Sequence, residues 1–104
     1  MLDKTAVMSI VKKYADAVIG EFSPNSIVLF GSYAKGNARE ESDIDIGVIF
    51  NGFSGDWLKT SSRLWGLTED ISFNIEPHLL DITQDRSEFV KHVLKTGQII
   101  YKAN

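Results

Sequence analysis

A glycine-serine pair and two carboxylates occur close together in residues 31 to 45. Gly31 and Ser32 follow an apolar run, and Asp43 and Asp45 open the next one. Glycine at a strand end lets the backbone approach a ligand closely, so the following amides and the Ser32 hydroxyl can bind phosphate. Two carboxylates at positions i and i+2 of a strand point to the same face and lie about 6.6 Å apart. At that separation they can bind divalent cations. The segment therefore predicts a site for phosphate groups and a cation, and Mg²⁺ suits such ligands.

Two other motifs for phosphate or cations do not fit the same residues. Gly31 and Gly36 have the spacing of the P-loop glycines, but Asn37 and Ala38 stand where lysine and a hydroxyl residue are required. An EF-hand loop also begins with two aspartates one residue apart, but it needs a glycine at its sixth position, which is absent here. A P-loop and a calcium loop are therefore excluded.

Length and composition limit the class of protein. The 104 residues fit one domain, 1–104, and have a formal net charge of -3 with no cysteine. An acidic chain with three arginines lacks the clustered positive charge of a broad nucleic-acid surface. The absence of cysteine excludes disulfides and a thiolate nucleophile. No segment has the pattern of a membrane span or a secretion signal, so we expect a soluble, cytoplasmic protein.

The elements that must position the site follow from the spacing of apolar residues. The expected elements, in chain order, are a helix (Thr5–Ile19), a strand (Ser26–Phe30), an irregular segment (33–42), a strand (Asp43–Phe50), a helix (about Asp56–Ile71), a strand (Phe73–Leu80), a helix ended by Gly97, and a short strand (99–101). Asp85 and Glu88 have capping-box spacing at the start of the last helix. This order predicts an α/β fold, with helices packed against a mixed β-sheet.

Residues 31 to 45 resemble the G-S-x-A-x-G-x(5)-S-D-x-D signature of the nucleotidyltransferase superfamily with the polymerase-beta palm fold. The matching positions are Gly31, Ser32, Ala34, Gly36, Ser42, Asp43 and Asp45. At this length the chain is similar to the smallest bacterial branch, the minimal nucleotidyltransferases. The motif is highly specific, whereas the weaker match in the order of strands and helices covers nearly the whole chain.

The resemblance implies a role for each matching residue of the site. Gly31, Ser32 and Ser42 would contact the nucleotide, the first two at its β- and γ-phosphates. Asp43 and Asp45 would bind Mg²⁺ and take part in catalysis. The implied reaction is attack of an acceptor hydroxyl on the α-phosphorus of a nucleoside triphosphate, expected to be ATP, with pyrophosphate leaving.

The family also uses a third carboxylate, as a metal ligand and activator of the acceptor hydroxyl. Glu76 fits this role best, and Asp81 is the alternative, although its odd offset from Glu76 places it on the opposite face of a regular strand. Pro77 has no amide donor, so this strand is expected at a sheet edge or to be locally irregular. His78 shares a face with Glu76, but a structural or solvent-facing role is favoured for it.

Four further residues are assigned mainly ordinary roles. Lys35 could contact a phosphate or lie on the surface, and the two alternatives stay open. His92 is given no role. Trp57 and Trp65 are expected in the core or at a partner interface rather than under a nucleobase.

The expected function follows from the resemblance and from the small size. Members of the minimal branch are commonly antitoxins paired with a helical HEPN-type toxin, and some adenylylate that toxin. A chain without room for an acceptor domain fits a role in which the acceptor arrives on a partner protein. The alternative is a non-catalytic nucleotide-binding or masking subunit of a heteromeric complex. Self-association into a homo-oligomer stays open.

Overall fold

Four strands and four α-helices make up residues 3–38 and 42–104, the part of the chain that the computed structural model describes. In chain order they are α1 (Lys4–Glu21), β1 (Ser26–Phe30), α2 (Ser32–Lys35), β2 (Ile44–Phe50), α3 (Trp57–Gly66), β3 (Ile75–Asp81), a 3₁₀ turn (Ile82–Gln84), α4 (Phe89–Thr96) and β4 (Gln98–Lys102). None of the helices in these two ranges has the length and apolar character needed to cross a bilayer.

The strands form one mixed sheet in the order β3-β2-β1-β4. Strand β1 pairs antiparallel with β2 and β4, whereas β2 pairs parallel with β3. The parallel pair needs a crossover connection, and α3 lies within it. The predicted mixed sheet is confirmed, and Pro77 lies in the edge strand β3, as its missing amide donor requires.

Helices cover the two faces of the sheet unequally. Helices α1 and α3 contribute to the larger core, in which the hydroxyl of Tyr14 donates a hydrogen bond to the carbonyl of Leu64 at 2.7 Å. The opposite face carries a small core of Val28, Ile49, Val90 and Val93, the last two from the short helix α4. Burial of both faces explains why β1 has an almost continuous apolar sequence. The polar residues of the site lie on this second face, the one that α4 covers.

Helix α3 ends five residues before the predicted boundary at Ile71. The hydroxyl of Thr68 donates to the carbonyl of Trp65, and the amides of Ile71 and Ser72 both donate to the carbonyl of Thr68. These local bonds replace the helical ladder after Gly66. The apolar spacing therefore continues into a series of turns.

The capping box predicted from Asp85 and Glu88 is wrong in its geometry. Helix α4 begins only at Phe89, and Glu88 has a left-handed backbone with φ 58°. The carboxylate of Asp85 instead accepts the amides of Val90 and Lys91, at 2.9 and 3.0 Å. Asp85 thus satisfies free amides of the first turn from outside the helix. Gly97 ends the helix as predicted.

Candidate active site

The parallel pairing of β2 with β3 brings two predicted site residues side by side. Asp45 is the register partner of Glu76, although 31 positions separate them in the chain. Paired residues on neighbouring strands lie about 4.8 Å apart and point to the same face. The structure therefore places Glu76, the favoured third carboxylate, next to Asp45.

A histidine completes this cluster. The Nε2 atom of His78 lies 3.2 Å from Oδ1 of Asp45, and both side chains are partly buried. One ligand atom each from Asp45, Glu76 and His78 can be chosen so that all lie within 4.8 Å of one another. His78 therefore lies within the cluster, and its role stays a prediction. The alternation that puts His78 on the face of Glu76 was the signal that pointed to the site.

The cluster concentrates negative charge. Burial raises the pKa of Glu76, the nearby charges of Asp45 and Asp43 raise it further, and His78 lowers it. Asp43 is exposed and lies one residue before β2, outside the group of three ligand atoms. A bound cation would relieve the repulsion between the carboxylates.

The donor set fits a divalent cation. Two carboxylates and one imidazole are common metal ligands, and ligands bound about 2.1 Å from one ion lie at most about 4.2 Å apart. The spread of up to 4.8 Å is close to that value, so small side-chain movements would suffice. Asp45, Glu76 and His78 are the residues that could hold the ion, with the exposed Asp43 near them.

Gly31 connects the expected phosphate-binding turn to the carboxylates. Its backbone is left-handed, with φ 76°, and a Cβ atom added there would lie 2.3 Å from Oδ2 of Asp45. A side chain is therefore disfavoured both by backbone conformation and by contact. Only glycine lets the end of β1 pass this close to Asp45.

Replacement of Gly31 by alanine is expected to lower the free energy of unfolding by about 2 kcal/mol, since it adds left-handed strain and displaces the Asp45 carboxylate. Affinity for a divalent cation should fall about tenfold. Gly52→Ala is the matched control, because Gly52 also has a positive φ but has nothing within 4 Å of an added Cβ. Urea unfolding and metal titration of both variants measure the effects. An equal loss of metal affinity in the two would contradict the proposed contact.

The turn that follows Gly31 begins the short helix α2 at the expected phosphate position. Ser32 is the first residue of α2, and Gly31 has no side chain to cap it. The first amides of a helix have no partner within the helix, so they can donate to a ligand. Ser42 directly precedes Asp43 and is partly buried.

Asp81, the alternative third carboxylate, lies at the other end of β3 and on the opposite face. It is 5% exposed and accepts the amides of Gly52 and Phe53 and both the amide and the hydroxyl of Thr83, at 2.7 to 3.0 Å. Burial on its own would raise the pKa of Asp81, but these donors outweigh it and lower the pKa to about 2. The Asp81 carboxylate is thus occupied by hydrogen bonds from the loop after β2 and from Thr83.

Comparison with known proteins identifies the family. A family model described as "Polymerase beta, Nucleotidyltransferase" matches residues 12–104. The chain belongs to this nucleotidyltransferase family. Two candidate protein adenylyltransferases of Methanocaldococcus jannaschii, MJ1379 and MJ1215, are 44% identical over 45 residues and 41% identical over 53 residues. The matched stretches cover 43% and 51% of this chain, and 45% and 60% of those relatives.

Solved structures show the same fold as this nucleotidyltransferase. A candidate nucleotidyltransferase from Sulfolobus solfataricus has a TM-score of 0.67 at 23% identity, over 97% of this chain and 90% of that one. A toxin–antitoxin structure with AMP-PNP has a TM-score of 0.58 at 19% identity, over 99% and 76% of the two chains. A mutant of the toxin–antitoxin MntA-HpeT has a TM-score of 0.60 at 18% identity, over 99% and 76%. The predicted fold and the predicted nucleotidyltransferase family are confirmed.

The remaining candidate residues of the nucleotidyltransferase lie away from the carboxylates or on the surface. Lys35 and His92 are exposed. Trp57 and Trp65 are each 47% exposed, so they are not core residues.

The nucleotidyltransferase has a cavity of about 340 Å³ that is separate from the carboxylate cluster. It lies on the α1 side of the sheet, between α1 and α2, and its lining includes Met8, Leu29 and Tyr33. Neither Asp45 nor Glu76 contributes to it. The side chains of Asp45 and His78 in the carboxylate site are 23% and 29% exposed.

Proposed function

We propose that residues 1–104 form one cytoplasmic, metal-dependent nucleotidyltransferase domain that transfers a nucleoside monophosphate, AMP from ATP, to a hydroxyl group of a partner protein. The main supporting observation is the side-by-side pairing of Asp45 with Glu76 next to the Gly31 turn. A protein that only bound a partner would have no need of two crowded carboxylates there. The sequence predicts Mg²⁺ as the ion.

Each residue of the site has a separate part in the proposed reaction. Gly31 and Ser32 bind the β- and γ-phosphates through backbone amides and a hydroxyl. Asp43, Asp45 and Glu76 hold the cation, which when bound stabilises negative charge on the phosphates. Ser42 contacts the nucleotide.

Glu76 also receives the proton of the acceptor hydroxyl. The acceptor oxygen bonds to the α-phosphorus as the bond from that phosphorus to the bridging oxygen breaks. Pyrophosphate is then the leaving group.

The proposed acceptor is a small helical protein of the HEPN type, with this chain as its antitoxin. The relatives MJ1379 and MJ1215 are named as protein adenylyltransferases, and two similar structures are toxin–antitoxins. The side chains of Asp45 and His78 are 23% and 29% exposed, so an acceptor hydroxyl on a partner protein can approach them from solvent.

Transfer with differently labelled ATP tests this function. The chain is incubated with a divalent cation, lysate of the source organism, and ATP labelled at either the α- or the γ-phosphate. Nucleotidyl transfer retains the α-phosphate on the acceptor and releases the γ-phosphate in pyrophosphate. We therefore expect a protein band labelled from α-labelled ATP only, and its loss when EDTA removes the cation.

The other outcomes separate the alternatives. A band labelled from γ-labelled ATP only would indicate phosphoryl transfer and would overturn the proposal. No band with either label, although the chain forms a complex with its expressed partner, would favour the masking subunit.

A further inference from the structure

The cluster of Asp45, Glu76 and His78 contains one nitrogen donor. The sequence predicts three carboxylates as metal ligands and no nitrogen. His78 follows Glu76 by two residues on β3 and is opposite Gly47 in the parallel register. Its Nε2 atom faces Oδ1 of Asp45 at 3.2 Å. The imidazole thus reaches a carboxylate oxygen of the cluster.

The surroundings of His78 hold the ring at this position. Phe30 packs against the imidazole with ring centroids 4.9 Å apart and an interplanar angle of 61°. Phe89 packs in turn against Phe30, with centroids 5.8 Å apart. This aromatic pair lies between the cluster and the start of α4, and the side chain of His78 is left 29% exposed. The aromatic contact with Phe30 thus limits the orientations of the His78 ring, as outer-shell contacts do for metal ligands.

We propose that His78 is a direct ligand of the cation in this site and makes the site select first-row transition ions, such as Mn²⁺, over Mg²⁺. The inference rests on the proposed function, which requires a bound cation. It adds the class of ion that the site holds. Mg²⁺ prefers oxygen ligands and binds them with strict octahedral geometry. Imidazole nitrogen favours transition ions, whose affinities for such sites exceed that of Mg²⁺.

The charges and positions of the three donors agree with this assignment. Two carboxylates supply two negative charges, which match a divalent ion, and a neutral imidazole adds a ligand without adding charge. The three ligand atoms already lie within 4.8 Å of one another. An ion bound between Asp45 and His78 would replace their hydrogen bond with one metal bond to each residue.

Metal titration of the whole chain tests the selectivity. The metal-free protein is titrated with Mn²⁺, with free Mn²⁺ followed by its electron paramagnetic resonance signal, and Mg²⁺ affinity is measured by competition. His78→Gln is compared with His92→Gln, the matched control, because His92 is exposed on α4. We expect His78→Gln to lower Mn²⁺ affinity at least about tenfold and to change Mg²⁺ affinity by less than about twofold. His92→Gln should change neither.

Pulsed resonance of the bound Mn²⁺ distinguishes a ligand from a residue that only positions Asp45. Nitrogen coupling from imidazole should appear in the wild type and in His92→Gln and disappear in His78→Gln. Bound Mn²⁺ without nitrogen coupling, or an equal loss of Mn²⁺ and Mg²⁺ affinity in His78→Gln, would overturn the inference. Nitrogen coupling in a chain that transfers no label from ATP would support the ligand and reject the proposed function.

Discussion

Replacement of Asp45 by asparagine is expected to lower the rate of nucleotidyl transfer by about 1000-fold, which corresponds to about 4 kcal/mol of transition-state stabilisation. Asp45 is the shared member of the cluster, because it pairs with Glu76, contacts His78 and packs against Gly31. Asparagine preserves the shape and leaves an oxygen for His78, but it removes the negative charge. The measurement is transfer of the α-label from ATP to the acceptor, with purified variant and wild type compared at equal concentration.

Two controls separate this effect from misfolding. Asp70→Asn makes the same chemical change at an exposed position, and its rate should match the wild type. Thermal unfolding of the metal-free Asp45→Asn variant should show no loss of stability, since one of two repelling carboxylates becomes neutral. An Asp45→Asn variant that stays folded and retains a tenth or more of the transfer rate would contradict the catalytic role.

Replacement of Asp81 by asparagine is expected to have the opposite pattern, a large loss of stability with metal binding retained. The carboxylate of Asp81 accepts four hydrogen bonds from three residues, and asparagine offers one acceptor oxygen and a donor group. The amide of Phe53, which donates to Oδ2, would face a donor group instead, and the three bonds to Oδ1 would lose a charged acceptor. The free energy of unfolding should therefore fall by about 3 kcal/mol, or about 15 °C in Tm. Calorimetry and urea unfolding measure the loss, with Asp70→Asn again as control.

The pH dependence of this loss provides a separate check. Asp81 has a pKa of about 2 in the folded chain against an ordinary value of 3.8, so its contribution is present above pH 3.8 and is lost as the pH falls toward 2. The contribution that disappears is about 2 kcal/mol. The stability difference between wild type and Asp81→Asn should therefore be full at pH 6 and shrink below pH 4. A difference that is constant down to pH 2 would contradict the lowered pKa.

Strand β1 shows where local sequence suffices to predict the fold. An apolar run that ends at a glycine has few alternatives to a buried strand, and the bounds Ser26–Phe30 are confirmed. The predicted end of α3 and the predicted start of α4 were wrong because side chains decide them. Thr68 bonds to Trp65, and Asp85 bonds to amides of α4, and neither choice is visible in the apolar spacing.

The site shows a different limit. Gly31 and Asp45 were predicted because their types and spacing are local, and the alternation of β3 correctly separated Glu76 from Asp81. The contact of His78 with Asp45 depends on which residue of β3 pairs with which residue of β2. That register is set by packing of the whole sheet, so local sequence did not show the contact of His78 with Asp45.

The parallel pairing of β2 with β3 also has a kinetic consequence. Antiparallel β1 and β2 can meet early, but Asp45 and Glu76 meet only after the longer segment containing α3 has folded back. Contacts between distant positions form late, after the entropy of loop closure has been lost. A cation that needs both carboxylates would then stabilise the native state more than the folding transition state. Bound metal should therefore prolong the lifetime of the folded chain by slowing unfolding, with little change in the refolding rate.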